Sequence, residues 1–494
     1  MAIPLRCYTG DESGLLKSVT LSLTRANFED IEGDSHVGVT RRHMRMGIRS
    51  QVKVAAAVAA TNGNDATATI PSMVAAPADP NLAIVRPFST KVDRARAIQK
   101  VHWLEGAGAS DPRLLVARVN GDIDLVSTSA WAGGDAETTT PTQYQSRHQS
   151  LFDRNAELQR TKPREVVNFV GLWGTPDGTT AYGTSTGKFR IQTGPFQPAT
   201  EEDQAAAATT TTTGTDLRVG FNTPMNRLRI HPRQNHIVAY LGKERQLTLW
   251  DVNQLSGAVP GATDSANAWA KPTGDPLFFA KNVPRDFLDL WVPFNGTDFA
   301  FMDDSASSYV LATEDKQVRI YDTRTGRDTV HDFEHGKEPL RHILMAPDNF
   351  RLFTADNRGN VLSMDIRTGR ELTRVPGPAG AVQSMAIDPQ IPQYLITVGS
   401  DRHLRVNDIS TPQHPLVTSV YLKQRLSQVV IDTAWVTSAL VESARTSSRS
   451  TRKMASAAAA AAVAEEDDEL WNKMTKVTSK SEQRKRQKTS KSSK

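Results

Sequence analysis

Apolar and polar positions alternate along this chain in short stretches, and the strongest regularity is a hairpin repeated seven times. A strand with period-two alternation, a turn carrying Gly, Asp or Asn, and a second alternating strand occupy Arg6–Val19, Leu114–Val126, Thr180–Ile191, His236–Asp251, Tyr309–Asp322, Arg351–Asp365 and Tyr394–Asp408. Alternation gives each strand one buried face, and the turn residues tolerate the positive φ that tight hairpins need. The last four hairpins end in Trp250-Asp251, Tyr321-Asp322, Met364-Asp365 and Asn407-Asp408, the place of the Trp-Asp dipeptide in a WD repeat. A further strand precedes several of them, at Leu228–Pro232, His342–Pro347 and Met385–Pro389. Four-stranded blades follow, and the predicted fold is an all-β, seven-bladed WD-type β-propeller.

Seven blades of about 40 to 45 residues need roughly 280 to 315 residues, so a propeller over 1–431 has a surplus to place. Three stretches take it: 26–90, with Arg41-Arg-His-Met-Arg45 and an Ala-rich segment from Val54, then 127–160, then 193–216 with Thr209–Thr213. Their weak periodicity predicts mobile insertions. An open ring would leave two unpaired sheet edges. The first repeat begins at its second strand, whereas Leu416–Leu422 and Leu426–Ile431 add two strands after the seventh hairpin. The second of these is predicted to complete the first blade. Residues 441–494 read as a disordered, low-complexity tail with an Ala run, the acidic Glu465–Glu469 and a basic end.

Charge sharpens that division. The net charge is +5, yet Lys473–Lys494 holds nine Lys/Arg against Glu482, which makes this segment +8 and the remainder −3. A uniformly basic nucleic-acid-binding domain would carry its footprint on the fold itself. No apolar run approaches the roughly 18 residues needed to span a bilayer, and Met1–Gly10 lacks the pattern of a secretory signal. The chain is expected to be soluble, without a membrane partner. Cys7 is the single cysteine; it excludes an internal disulfide framework and reads as a small buried strand residue.

Candidate chemistry is sparse. The Asp closing each repeat suits turns and caps better than catalysis, because short carboxylates accept nearby backbone N–H bonds. None of the 11 histidines has a metal-ligand spacing, no phosphate-binding Gly loop follows Gly106-Ala-Gly108, and no nucleophile elbow occurs. No catalytic residue, metal, cofactor or small-molecule substrate is expected. In the tail, Arg484, Lys485, Arg486 and Lys488 fit a nuclear-import peptide read by an importin, but also a solvated charge run or a neutraliser of RNA phosphates. Leu470, Met474 and Val477 fall on one helical face with Trp471 beside Met474; this is either a helix for a partner's groove or a frayed end.

Several segments resemble the nucleolar WD-repeat assembly factors of the large ribosomal subunit precursor, a family with a fungal member and an animal counterpart. They are Gly10–Lys17, Gly242–Glu244, Ala280–Leu290 with Pro293, Gln317–Asp322, Ser400–Arg405 and Tyr421–Leu426. Ala-Lys-Asn-Val-Pro followed by Leu-Asp-Leu is far more specific than any WD dipeptide. The resemblance implies a nuclear and nucleolar protein that binds pre-ribosomal (pre-60S) particles, contacting assembly proteins and possibly rRNA. It also implies a need for the protein in rRNA processing, and release by an AAA-type ATPase. Polar residues of the matching segments are divided between structural roles and a contact surface: Lys243, Glu244, Lys281, Asn282, Asp286, Asp289, Arg402, His403, Lys423 and Arg425. Two other functions share the fold. A general WD adaptor of a ubiquitin-ligase or chromatin complex would sediment free of ribosomal particles, and a propeller hydrolase would need converging acids in the central channel.

Overall fold

The computed structural model describes residues 2–24, 53–56, 82–88, 92–104, 113–128, 167–193, 216–221, 223–255, 269, 271–272, 274–285, 287–433 and 435–437. Two units separate at Ala434, and the propeller is the first of them. Its seven sheets are the seven blades. Each predicted hairpin supplies the second and third strands of one blade, as in Ile237–Gly242 with Arg245–Asp251, where every residue of the second strand is buried.

Blade 1 is made from both ends of this unit. Leu426–Ile431 lies innermost, hydrogen-bonded antiparallel to Ala2–Asp11, followed by Leu16–Thr24 and Leu82–Pro87. The strand expected to close the ring therefore does so, with Cys7 opposite Ile431 and Thr9 opposite Val429. Leu82–Pro87 corrects the reading of 26–90 as one insertion, because it is a full strand of this sheet, with the short Lys53–Ala56 pairing parallel beyond it. Most of the remaining insertion residues, and the tail motifs from Leu470 to Lys488, lie outside the described residues.

The inner strands of blades 2 to 7 are Ile98–Leu104, Phe169–Gly174, Arg227–Ile230, Gly296–Phe301, Leu340–Met345 and Val382–Ile387. Together with Leu426–Ile431 they touch in sequence and close the ring around its axis. Their approach is tight. A Cβ on Gly171 of blade 3 would lie 2.4 Å from the Leu228 carbonyl oxygen of blade 4, so that contact requires glycine. Apolar clusters fill the spaces between neighbours, such as Phe278, Phe294, Phe299 and Tyr321 between blades 4 and 5. Cys7 is fully buried among such residues, and burial pushes its thiol up to about 12. The repeat-ending carboxylates hold turns. Asp251, Asp322, Asp365 and Asp408 each accept the backbone N–H two residues on, at 2.8–2.9 Å.

One buried charge ties three blades together. Asp298 of blade 5 receives Arg227 Nε at 3.0 Å and Arg229 Nη2 at 2.8 Å from blade 4, while its other oxygen lies 3.4 Å from His342 Nδ1 of blade 6. Burial alone would raise the Asp298 carboxyl, but the two guanidinium groups outweigh it and hold it far below the usual carboxylate range. His342 goes the other way: burial pushes it down to about 4 despite the adjacent carboxylate. His102, on the inner strand of blade 2, is likewise pushed down to about 4 by burial.

Two outcomes follow. Asp298→Asn leaves Arg227 and Arg229 without their counter-charge and should lower the unfolding free energy by about 3 kcal/mol, read as a shifted urea midpoint at neutral pH; an unmoved midpoint would mean that the guanidinium groups do not depend on the carboxylate. Separately, His342 and His102 are neutral when folded yet protonate near pH 6.5 when unfolded. The contribution of these two groups should therefore be complete above that pH, fall between about 6.5 and 4, and level off below as the folded groups also protonate; further loss below about pH 4 then belongs to carboxylates such as Asp298. His342→Asn should flatten part of that fall, and equal slopes in the two proteins would contradict it.

Candidate interaction face

Two families of loop share one face of the ring. The turn between the second and third strands of each blade lies against the link that leads to the next inner strand, and backbone hydrogen bonds join them. Asp93 N–H donates to Ser13 O, Met225 N–H to Ser185 O, Glu244 N–H to Phe294 O, His335 N–H to Lys316 O and Leu422 N–H to Arg402 O, at 2.7–3.1 Å. Loops fixed in this way present a rigid surface. The long stretches that interrupt the repeats leave after third strands, as after Leu16–Thr24, Lys188–Gln192 and Arg245–Asp251, and so at the opposite face.

Most of the sequence-selected residues fall on the first face, in two groups. One is at the junction of blades 4 and 5. Lys243 and Glu244 are exposed in the second turn of blade 4, with Glu244 at φ 55° and Lys243 bridged to Asn295. The link from Ala280 to Asn295 then makes an excursion whose base is pinned by Asn282. Its side-chain N–H donates to Val292 O at 2.7 Å, and its oxygen accepts from Arg319 Nη1 at 3.0 Å. Arg319 is itself fully buried, over the Phe294 ring and paired with Asp332 at 3.3 Å. Asn282 is thus a structural residue. Lys281 sits on the outer wall, paired with Asp328 at 3.1 Å between two exposed side chains, a contact worth little in water. Asp289, at φ 56°, takes Arg285 at 3.2 Å and turns the tip. Asp286 lies outside the described residues.

The second group is at the junction of blades 7 and 1. Arg402 and Lys423 are exposed, both at φ 68°, and Arg425 is exposed beside them. Arg402 Nη1 lies 3.4 Å from Tyr421 Oη, and the same tyrosine ring packs on His403 at 5.1 Å. His403 Nδ1 is 2.8 Å from Asp401 O, so this histidine supports its turn. Underneath, Lys17 Nζ donates to Leu422 O at 2.9 Å and pairs with buried Asp11 at 2.7 Å, which anchors the link to blade 1.

Selecting polar residues missed the main feature of the blade 4–5 excursion, which is apolar. Phe287 and Trp291 are 93% and 67% exposed, and Leu288 and Leu290 are exposed between them. An exposed apolar run of this kind on a pinned loop is uncommon on a folded surface, which makes it a candidate contact. The signal was present as Phe-Leu-Asp-Leu-Trp, an apolar run in a segment that joins no predicted strand.

Among the described residues the inner strands offer no pair of acids. Asp298 is the one carboxylate on the seven inner strands, and its neighbours are cations. Among the described residues no group of three or more His, Cys, Asp or Glu side chains could hold a metal ion.

No family model matches the chain. It is 30% identical to WD repeat-containing protein 74 of Bos taurus over 311 residues, which cover 62% of this chain and 72% of the relative. It is 33% identical to the Homo sapiens protein of the same name over 217 residues, 44% of this chain and 50% of the relative. Ribosome biogenesis protein nsa1 of Schizosaccharomyces pombe is 27% identical over 222 residues, 42% of this chain and 55% of the relative. The match thus spans about half the length of the last two. With the closed ring of seven blades, these similarities establish that the chain belongs to the family of WD repeat-containing protein 74 and its fungal relatives.

Proposed function

We propose that this protein is a non-catalytic ribosome biogenesis factor that docks on precursors of the large subunit through the face described above. The observation that carries the reading is the Phe287–Trp291 excursion. Exposed aromatic and aliphatic side chains stand on a pinned base, flanked by Lys243, Glu244 and Arg285, which matches an interface with an apolar centre and a polar rim. The name of the Schizosaccharomyces pombe relative supports the same process. On this reading the protein is needed for rRNA processing and an AAA-type ATPase extracts it from the particle afterwards. Arg402, Lys423 and Arg425 form a second contact at the far side of the ring. The basic tail contributes importin-dependent entry to the nucleus and nucleolus through Arg484–Lys488, and a charge attraction to RNA that is indifferent to sequence.

Co-sedimentation with purified precursor particles tests the assignment. Phe287→Ala with Trp291→Ala should weaken binding by about 2 kcal/mol or more, roughly thirtyfold, with an unchanged melting temperature because neither side chain is buried. A protein that sediments free of particles in cell extracts at every salt concentration would instead be a general WD adaptor.

Deleting 473–494 should act differently. It removes a charge of +8, so binding should fall modestly near physiological salt, and the deficit should shrink as salt rises because screening already removes the tail's share. The same truncation should reduce nuclear accumulation of a fluorescent fusion. Complete loss of particle binding on truncation, with the Phe287/Trp291 pair dispensable, would assign docking to the tail.

A further inference from the structure

The inner strands carry a second feature of this face, at the mouth of the ring axis. Arg227 and Arg229 stand at the first and third positions of the inner strand of blade 4, Arg341 at the second position in blade 6 and Lys100 at the third in blade 2. These positions lie at the strand ends fed by the links, so the four cations share the mouth that opens on the docking face. Asp298 is the one acid against them. Register slips place Arg341 opposite no partner residue, and it is exposed, reaching Asn357 and Gln383. Lys100 is half-buried, without an ion pair or side-chain hydrogen bond among the described residues. Burial first and then Arg227 push its ammonium well below the usual lysine range, Asp298 opposes them and Arg229 and Arg341 add to them, so Lys100 shares one field with the charges of blades 4, 5 and 6. Asp298 is a single negative charge against four basic side chains, so the mouth keeps an excess of positive charge that an anion would offset.

We infer that the mouth of the ring axis is a binding site for an acidic peptide segment, whose carboxylates reach Lys100 and Arg341 and share the field of Arg227 and Arg229. A single-stranded RNA would supply anions too, but its recognition relies on aromatic side chains that stack bases. Within the first three positions of the seven inner strands the aromatic rings are those of Phe169, which is buried, and His342, which is engaged with Asp298. Two amides at these strand ends are already engaged, Gln428 with Val101 and Gln99 with Asn168 and Phe169. Carboxylates on short flexible stems fit basic strand ends with neutral neighbours better than a sugar–phosphate chain whose bases find no free ring there.

Fluorescence anisotropy with the full chain and no particles keeps this test separate from the docking reading. The probes are a short labelled Glu-rich peptide and a labelled oligouridylate of equal charge. The double substitution Lys100→Glu with Arg341→Glu should weaken peptide binding at least about tenfold. Arg324→Glu with Arg370→Glu, matched in charge on the opposite face, should leave it unchanged, and oligouridylate binding, dominated by the basic tail in every variant, should not follow the peptide. Should the first pair fail to fold, Lys100→Gln and Arg341→Gln serve with the same expected order. Equal peptide affinity in the two double variants overturns the site; a loss of oligouridylate binding that parallels the peptide makes it a nucleic-acid site instead.

Discussion

A ring of sheets is stable only if it closes, and here everything depends on the pairing of Leu426–Ile431 with Ala2–Asp11. Without it, two inner-blade edges would present unpaired N–H and C=O groups to water and to other chains. The seam is therefore held by more than the ladder. Tyr8 donates to Asp432 at 3.0 Å, Lys17 bonds Leu422 O and Asp11, and Gln428 bonds both backbone groups of Val101 in blade 2. Joining the start and end of the unit across this seam makes its opening a loss of contacts in blades 1, 2 and 7 at once. A long-range closure of this type raises contact order, so the ring should fold late relative to its local hairpins.

Closure also dictates where charge can go. Seven inner strands crowd around one axis, which is why glycine at position 171 meets a backbone oxygen and why polar inner-strand side chains are pressed toward one another. Four of these at one end are basic, Lys100, Arg227, Arg229 and Arg341. Asp298 offsets Arg227 and Arg229 but leaves Lys100 and Arg341, so the axis keeps a local positive field although the chain outside its tail is −3. The net charge of a domain thus says little about the field at a given mouth, where low-dielectric walls focus what remains.

The hairpins, the WD positions and the closing strand were legible because period-two alternation and turn chemistry are local properties. Leu82–Pro87 was not, since its alternation is brief and follows an Ala-rich stretch far from the hairpin it joins; only the pairing with Lys17–Thr20 identifies it. Among the chosen contact residues, Asn282 and His403 turned out to hold their own loops, which a motif cannot distinguish from contact. Phe287 and Trp291 were passed over because an apolar residue in a sequence is normally assigned to a core, and exposure is decided by the pinned base beneath them. Lys100 and Arg341 looked like ordinary solvent-facing strand positions, for alternation reports that a side chain is polar but not that seven such positions converge.

The two groups of face residues lie at the blade 4–5 and blade 7–1 junctions, three steps apart on a ring of seven. A partner that touches both must cross the face, and therefore the mouth of the axis between them. One group is apolar and pinned, the other cationic, and the mouth is cationic and recessed. A flat surface offering apolar contact alone would gain little from the last two, because exposed cations left unpaired return nothing for their ordering. A partner with an apolar patch at one end and carboxylates toward the other would satisfy all three. On the proposed docking reading, selectivity would come from the spacing of unlike contacts on a rigid ring, which closure of the propeller makes possible and no single loop could supply.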